Sequence, residues 1–352
     1  SSFFLQMYNF FFKYLISVAY LLEKSLLLSP VIILIMKILV VRFSSIGDIV
    51  LTSPVLRCLK TQSEHVVHFV TKRKFESVVA ANPYIDKTIF LEDDLMALVK
   101  VLKSENYDYI VDLHHNLRSK IIKIMLNKPS STFHKLNFQK LLLTKFKVDR
   151  LPKIHIVDRY METLRELGVK NDGLGLDFFI DREEGLPQDV QLPDNYYVFA
   201  IGGQHKTKIV PHDIVVRIIN RVSSSENVDF VIIGGKENRE DGDFIASKTG
   251  AINLSGVLSI NQSAQVMEKS KVVYTGDTGM MHIAAALKKN VVSFWGNTVP
   301  EFGMYPYFPT GFQGKNVIVE NKNLSCRPCH KLGYKECPKK HFECMRWLEN
   351  EY

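Results

Sequence analysis

The chain has 352 residues, 46% hydrophobic and 23% charged, with a formal net charge of +8. These values exclude a disordered or collagen-like chain, and the length suits two domains of ordinary size. The 45 Lys and Arg are scattered rather than blocked, which disfavours nucleic acid and leaves an anionic small molecule or membrane surface as the partner.

Residues 1–35 contain the run "FFLQMYNFFFKYLISVAYLLEKSLLLSPVIILI". Lys13, Glu23, Lys24 and Pro30 interrupt it, whereas a spanning helix wants about 20 mostly apolar residues. No small-residue cleavage site of a signal peptide stands out. The favoured reading is an apolar leader ahead of a natural start at Met36; the alternative is a membrane-surface anchor.

From Lys37 onward, short β-branched runs alternate with helical patterns. "KILVVRF", "VVHFV", "KTIFL" and "YDYIVDL" read as buried strands, with amphipathic segments at 48–60, 73–81 and 94–105 between them. Ile156, Tyr160, Leu164 and Leu167 have helical spacing. "DREEGLPQDVQLPDN" then reads as the linker. The alternation restarts with "YYVFAIGG", a helix at 212–224, "DFVIIGG", "AINLSG", a helix capped near Ser259 or Asn261, "KVVYTGD" and "NVVSFWG". Strands separated by 10–15-residue helices imply parallel sheets with right-handed crossovers. The expected architecture is α/β, with domains at 36–185 and 186–322 facing a central cleft and a Cys-rich tail at 323–352.

Ligands of such sheets sit at the carboxyl ends of the strands. Three ends in the second half carry glycine turns: "AIGGQHKTK" with Lys206 and Lys208, "IIGGKENRE", and "YTGDTGMMH". Glycines let the backbone approach a ligand, and a helix start offers unpaired N–H groups with about half a positive charge. With a Lys from a neighbouring loop, these turns read as a diphosphate site. The competing reading is that Asp277 or Thr278 caps the helix. His282 lies one turn further in.

In the first half, "RFSSIGDIVLTSP" places Ser44, Ser45, Gly47 and Asp48 directly after a strand. It is neither a dinucleotide fingerprint nor a P-loop. A carboxylate at a helix start facing the cleft can act as general base, although an isolated Asp there more often stabilises the helix dipole. "VDLHHNLRS" ends another strand with His114, His115, Asn116 and Arg118, suited to sugar or phosphate contact or to loop capping more than to zinc.

Together, "GDIVLTSPVLRCLK", "VDLHHNLRS", "HKTKIVP" and "GDTGMMHIAAALKKNVVSFWGNTVPEFGMYPY" resemble glycosyltransferase family nine, the lipopolysaccharide heptosyltransferases, from about Met36 to Met345. The resemblance implies the GT-B fold, two Rossmann-like domains with the acceptor on the first and the sugar nucleotide, usually ADP-heptose, on the second. It implies Asp48 as catalytic base and Lys208 on the diphosphate. Asp277, Thr278, Gly279 and His282 would form the ADP-binding turn, with Glu237, or its neighbour Asn238, near the nucleoside. Ser44, Ser45, Gly47, His114, Asn116 and Arg118 are the acceptor-side candidates.

The expected reaction is inverting transfer of a heptose to a hydroxyl of a lipopolysaccharide core or lipid-linked saccharide, at the cytoplasmic face of the inner membrane. No cofactor is required and no nucleic acid is involved. Rival readings are a non-catalytic nucleotide-sugar-binding protein of the same fold and a nicotinamide-dependent oxidoreductase, which lacks its glycine fingerprint here.

Four of the five cysteines, Cys326, Cys329, Cys337 and Cys344, fall near the end, with His330 and His341 among them. The spacing begins like a structural zinc site. Free thiols or a disulfide are the alternatives, the disulfide being weaker for a cytosolic enzyme. Cys58 is expected to pack inside.

Overall fold

A computed structural model describes residues 35–351. The expected leader lies almost wholly outside the described residues. Two parallel sheets organise the chain from Met36 onward.

The first contains β1 (Lys37–Val41), β2 (Val66–Lys72), β3 (Lys87–Leu91), β4 (Tyr109–Asp112) and β5 (Ser130–Thr132), ordered β3-β2-β1-β4-β5. The second contains β6 (Tyr196–Ala200), β7 (Asp229–Ile233), β8 (Ile252–Asn253), β9 (Val272–Gly276), β10 (Asn290–Trp295) and β11 (Asn316–Glu320), ordered β11-β10-β9-β6-β7-β8. Central strands such as "YYVFA" are buried along their whole length, as strands covered by helices on both faces must be.

In each sheet the strand order reverses once, between β1 and β4 in the first and between β6 and β9 in the second. Crevices at such switch points are where open α/β sheets bind ligands. The Ser44–Asp48 turn follows β1, and the Lys208 and Asp277 turns follow β6 and β9. Buried side chains from both sheets, Val40 and Val111 with Val198 and Val273, belong to one apolar cluster that also includes Ile156, Leu176 and Ala284.

The helix expected at 48–60 is two helices, Ile46–Val50 and Ser53–Thr61. Thr52 and Ser53 hydroxyls donate to the Ile49 and Val50 carbonyls at the break, and Pro54 has no N–H to continue the first helix. Cys58 is buried on the second.

Polar β5 and the helix Leu117–Leu126, capped by Asn116, are additions to the expected elements. The expected linker docks on the helix Ile260–Lys269, where Asn261 exchanges hydrogen bonds with the Asp181 backbone and Arg182 pairs with Glu268.

Residues 323–351 pack on the second sheet. Met345 and Leu348 join its core with Phe199 and Ile218, and Arg327 donates to the Trp295, Gly296 and Thr298 carbonyls and pairs with Glu320. Among the described residues, no helix is long and apolar enough to cross a membrane.

Candidate active site

The ends of β1, β6, β7 and β9 open into a single cavity of about 930 Å³. Arg42, Ser44, Ser45, Gly47 and Asp48 line it from the first half; Gly202, Gly203, Lys208, Glu237, Asp277, Thr278, Gly279 and His282 line it from the second. The halves touch at two glycines. A Cβ on Gly47 would lie 2.6 Å from His282 Cδ2, and one on Gly279 would lie 2.9 Å from Ile46 Cγ2. Only residues without side chains let the two turns approach this closely, and the approach sets Asp48 beside the helix Gly279–Ala286.

Asp48 is held by three donors. Arg42 Nη2 lies 2.7 Å from Oδ1, while the Ser45 backbone N–H and hydroxyl donate to Oδ2 at 3.2 and 2.9 Å. Burial pushes the carboxyl upward, but the Arg42 charge and the Ser45 bonds outweigh it, so it titrates below the usual carboxylate range. A carboxylate oxygen has room for two donors, so Oδ1 retains a place for an incoming hydroxyl. Arg42 is itself fixed by the Ser44 carbonyl, the Leu113 carbonyl and, at 2.9 Å, the buried Tyr160 hydroxyl.

Across the cavity, Lys208 Nζ lies 2.7 Å from Asp277 Oδ2, which also accepts from the Thr298 hydroxyl at 2.7 Å. Gly276 makes this possible, because a Cβ there would collide with the Lys208 carbonyl. Asp277 is therefore engaged with Lys208 and Thr298, and no side chain caps the helix at Thr278. The Thr278 N–H is taken by the Gly276 carbonyl, so the N–H groups open to an anion begin at Gly279.

His282 is buried and its Nδ1 has no hydrogen-bond partner. Desolvation takes it down to about 4 despite Asp277 and Asp48, so it is neutral at neutral pH. Glu237 lines the cavity, whereas its neighbour Asn238 is buried and accepts from the Gly235 N–H.

The family model for glycosyltransferase family 9 (heptosyltransferase) matches residues 95–340. The chain belongs to glycosyltransferase family 9. It is similar to lipopolysaccharide heptosyltransferase 1 of Pseudomonas aeruginosa, 23% identical over 84% of this chain and 86% of that protein. In fold it resembles a family 9 glycosyl transferase from Veillonella parvula, with TM-score 0.66, 21% identity, and 90% of this chain and 98% of that chain covered. It also resembles Escherichia coli heptosyltransferase WaaC with ADP-2-deoxy-2-fluoro heptose, with TM-score 0.61, 18% identity, and 90% and 100% covered. The fold is GT-B, and the protein is a heptosyltransferase-family glycosyltransferase.

Three acceptor-side candidates of the transferase are not part of the cavity lining, although His114 lies within electrostatic reach of Arg42 and Asp48. Asn116 accepts from the Ser119 N–H and caps the helix Leu117–Leu126. His114 packs edge-on against Phe43, and Arg118 is exposed on the helix that Asn116 caps.

The sequence reading missed Arg42, Lys72, Lys74, Lys135, Lys140 and Lys331, which line the cavity. Arg42 had a signal, a cation closing an apolar strand. Lys135 and Lys140 had none, because the fold of the turn that carries them is not written in a local pattern.

The cysteine tail does not form a ligand set in this structure. All five cysteines are free thiols, Cys344 is buried, and among the described residues no three His, Cys, Asp or Glu side chains converge to hold a metal.

Proposed function

We propose that this transferase moves a heptose from ADP-heptose to a hydroxyl of a lipopolysaccharide core or related lipid-linked saccharide, with inversion, at the cytoplasmic face of the inner membrane. One observation carries the reading: Asp48 of the first half shares a single cavity with Lys208 and the uncapped helix start of the second. The donor assignment is further supported by the names of the relatives, one of which was solved with an ADP-heptose analogue.

In this mechanism the acceptor hydroxyl donates to Asp48 Oδ1 and loses its proton as its oxygen attacks the anomeric carbon. The bond to the diphosphate breaks on the opposite face, so one displacement inverts configuration. Negative charge grows on the departing ADP, where Lys208 and the N–H groups from Gly279 onward oppose it most strongly once it is fully developed. Lys208 is already oriented by Asp277, so little reorganisation accompanies the step.

The test is mass spectrometry of product formed from ADP-heptose and a lipid-linked acceptor, with UDP- and GDP-sugars as competitors, alongside ADP binding by calorimetry. Transfer from the ADP sugar, lost in Asp48→Asn with ADP binding retained, supports the reading. Preference for another nucleotide, or full turnover by Asp48→Asn, removes it.

A further inference from the structure

The segment 134–154 carries more apolar surface than its surroundings cover. Its helix Asn137–Leu141 runs into a π-helical turn, Leu142–Phe146, and no residue of either is fully buried. Phe138 and Phe146 are each 67% exposed, and Leu141, Val148 and Ile154 are exposed as well. A ten-residue helical segment with five Leu or Phe and no core to enter is unusual for a soluble surface.

The charge of the segment narrows what covers it. It has six Lys or Arg against one acidic residue, Asp149. Lys135 and Lys140 line the cavity, while Lys145, Lys147, Arg150 and Lys153 are exposed around the apolar side chains. Phe and Leu bordered by cations is the composition of a helix lying in the interface of an anionic bilayer, the apolar side chains among the acyl chains and the cations at the phosphates. A second copy of the chain would set these cations against their own kind.

Position agrees with composition. Asn137 and Lys140 face into the cavity, and Asn137 Oδ1 accepts from Lys331 Nζ at 3.2 Å, beside exposed Leu332 on the same rim. Chain atoms within one turn of the helix therefore touch both the acceptor side of the cavity and the apolar surface.

We propose that residues 137–150, with Phe138, Leu141 and Phe146 inserted and Lys145 and Arg150 at the phosphates, dock the transferase on an anionic lipid surface. A lipid-anchored acceptor would then enter the cavity headgroup first. The argument rests on the reading that the acceptor is lipid-linked, though the docking itself does not require transfer.

The experiment is flotation of the full chain with vesicles of phosphatidylglycerol and phosphatidylethanolamine, and with phosphatidylcholine alone. It compares wild type, Phe138→Ser/Phe146→Ser and Lys145→Glu/Arg150→Glu, with thermal melts and ADP binding measured in parallel. Wild type is expected to float with anionic vesicles. The Phe pair should lose at least about tenfold in affinity, the charge reversal should lose binding to the anionic vesicles selectively, and both should keep folding and ADP affinity.

Unchanged flotation of the Phe pair overturns the proposal and moves the contact to another segment, residues 1–34 included. Failure of wild type to bind, or loss of a dimer in the Phe pair, overturns it too. If the variants lose vesicle binding as expected but wild type transfers to no lipid-linked acceptor, the acceptor reading fails and the docking surface stands.

Discussion

Arg42 and Asp48 close one ion pair at the floor of the cleft, with Nη2 2.7 Å from Oδ1, and Arg42 reaches it from the end of a buried strand. The pair favours the ionised form of Asp48 and orients its carboxylate, the group proposed above as the general base.

Asp48→Asn should cut turnover by about 10²–10⁴-fold, the usual span for removing a general base, and leave ADP affinity unchanged. Asparagine is preferred to alanine as the probe, because its amide oxygen still accepts from Arg42. Alanine would leave a buried guanidinium short of its counter-ion, at about 3–5 kcal/mol in stability. Single-turnover rates beside ADP calorimetry check this.

Arg42→Gln removes the charge that opposes burial at Asp48, so the carboxyl rises. A carboxylate held low stays ionised as pH falls, until the pH reaches its depressed value. The acid limb of kcat/KM in wild type should therefore lie below the ordinary carboxylate range and move to higher pH in Arg42→Gln. The stability contributed by the pair is present above the unfolded carboxylate value and is lost as pH falls through the folded one. A limb that stays in place would mean that Asp48 is not the group titrating in the profile.

Lys208→Met should weaken ADP binding by about 10- to 100-fold, the worth of one charge-assisted bond, and lower kcat further. Gly276→Ala should imitate part of this without touching Lys208, because its methyl meets the Lys208 carbonyl. The cost of such overpacking is about 1–3 kcal/mol in stability. Calorimetry and thermal melts on the two variants distinguish the grip from the backbone that supports it.

Acid should destabilise the fold in a window set by its desolvated histidines. Desolvation takes His282 and His114 down to about 4 and His155 down to about 3. The unfolded chain binds protons at these sites from about pH 6.5 downward, while the folded chain refuses them until about pH 4, so stability falls as pH drops through that interval. His282→Gln should flatten the decline in urea midpoints between pH 6.5 and 4. An unchanged slope would place the titration elsewhere.

The second half was the more legible in sequence. "YYVFA", "DFVII", "KVVYT" and "NVVSFW" announce buried parallel strands, and the glycines that end three of them mark where a ligand comes close. What escaped depends on distant partners. Nothing near Gly47 says that His282 will lie against it, and nothing in "SST" announces an edge strand, since its hydrogen bonds come from β4. "VDLHHNLRS" was ambiguous because Asn followed by Leu serves a cap as well as a ligand. The structure assigns Asn116 to the cap, where its carbonyl oxygen is 3.0 Å from the Ser119 nitrogen.

The carboxyl-terminal stretch reaches to the turn that carries Lys208, proposed above to oppose the diphosphate charge. Tyr334 donates its N–H to the Thr207 hydroxyl at 2.8 Å and accepts from the Thr207 N–H at 3.3 Å, a stitch between residues 127 apart in the chain. Thr207 immediately precedes Lys208, and Arg327 braces the carbonyls at the end of β10. A protein shortened after Glu320 would still own every strand of both sheets and every side chain assigned to chemistry. It would hold its donor in an unbuttressed hand.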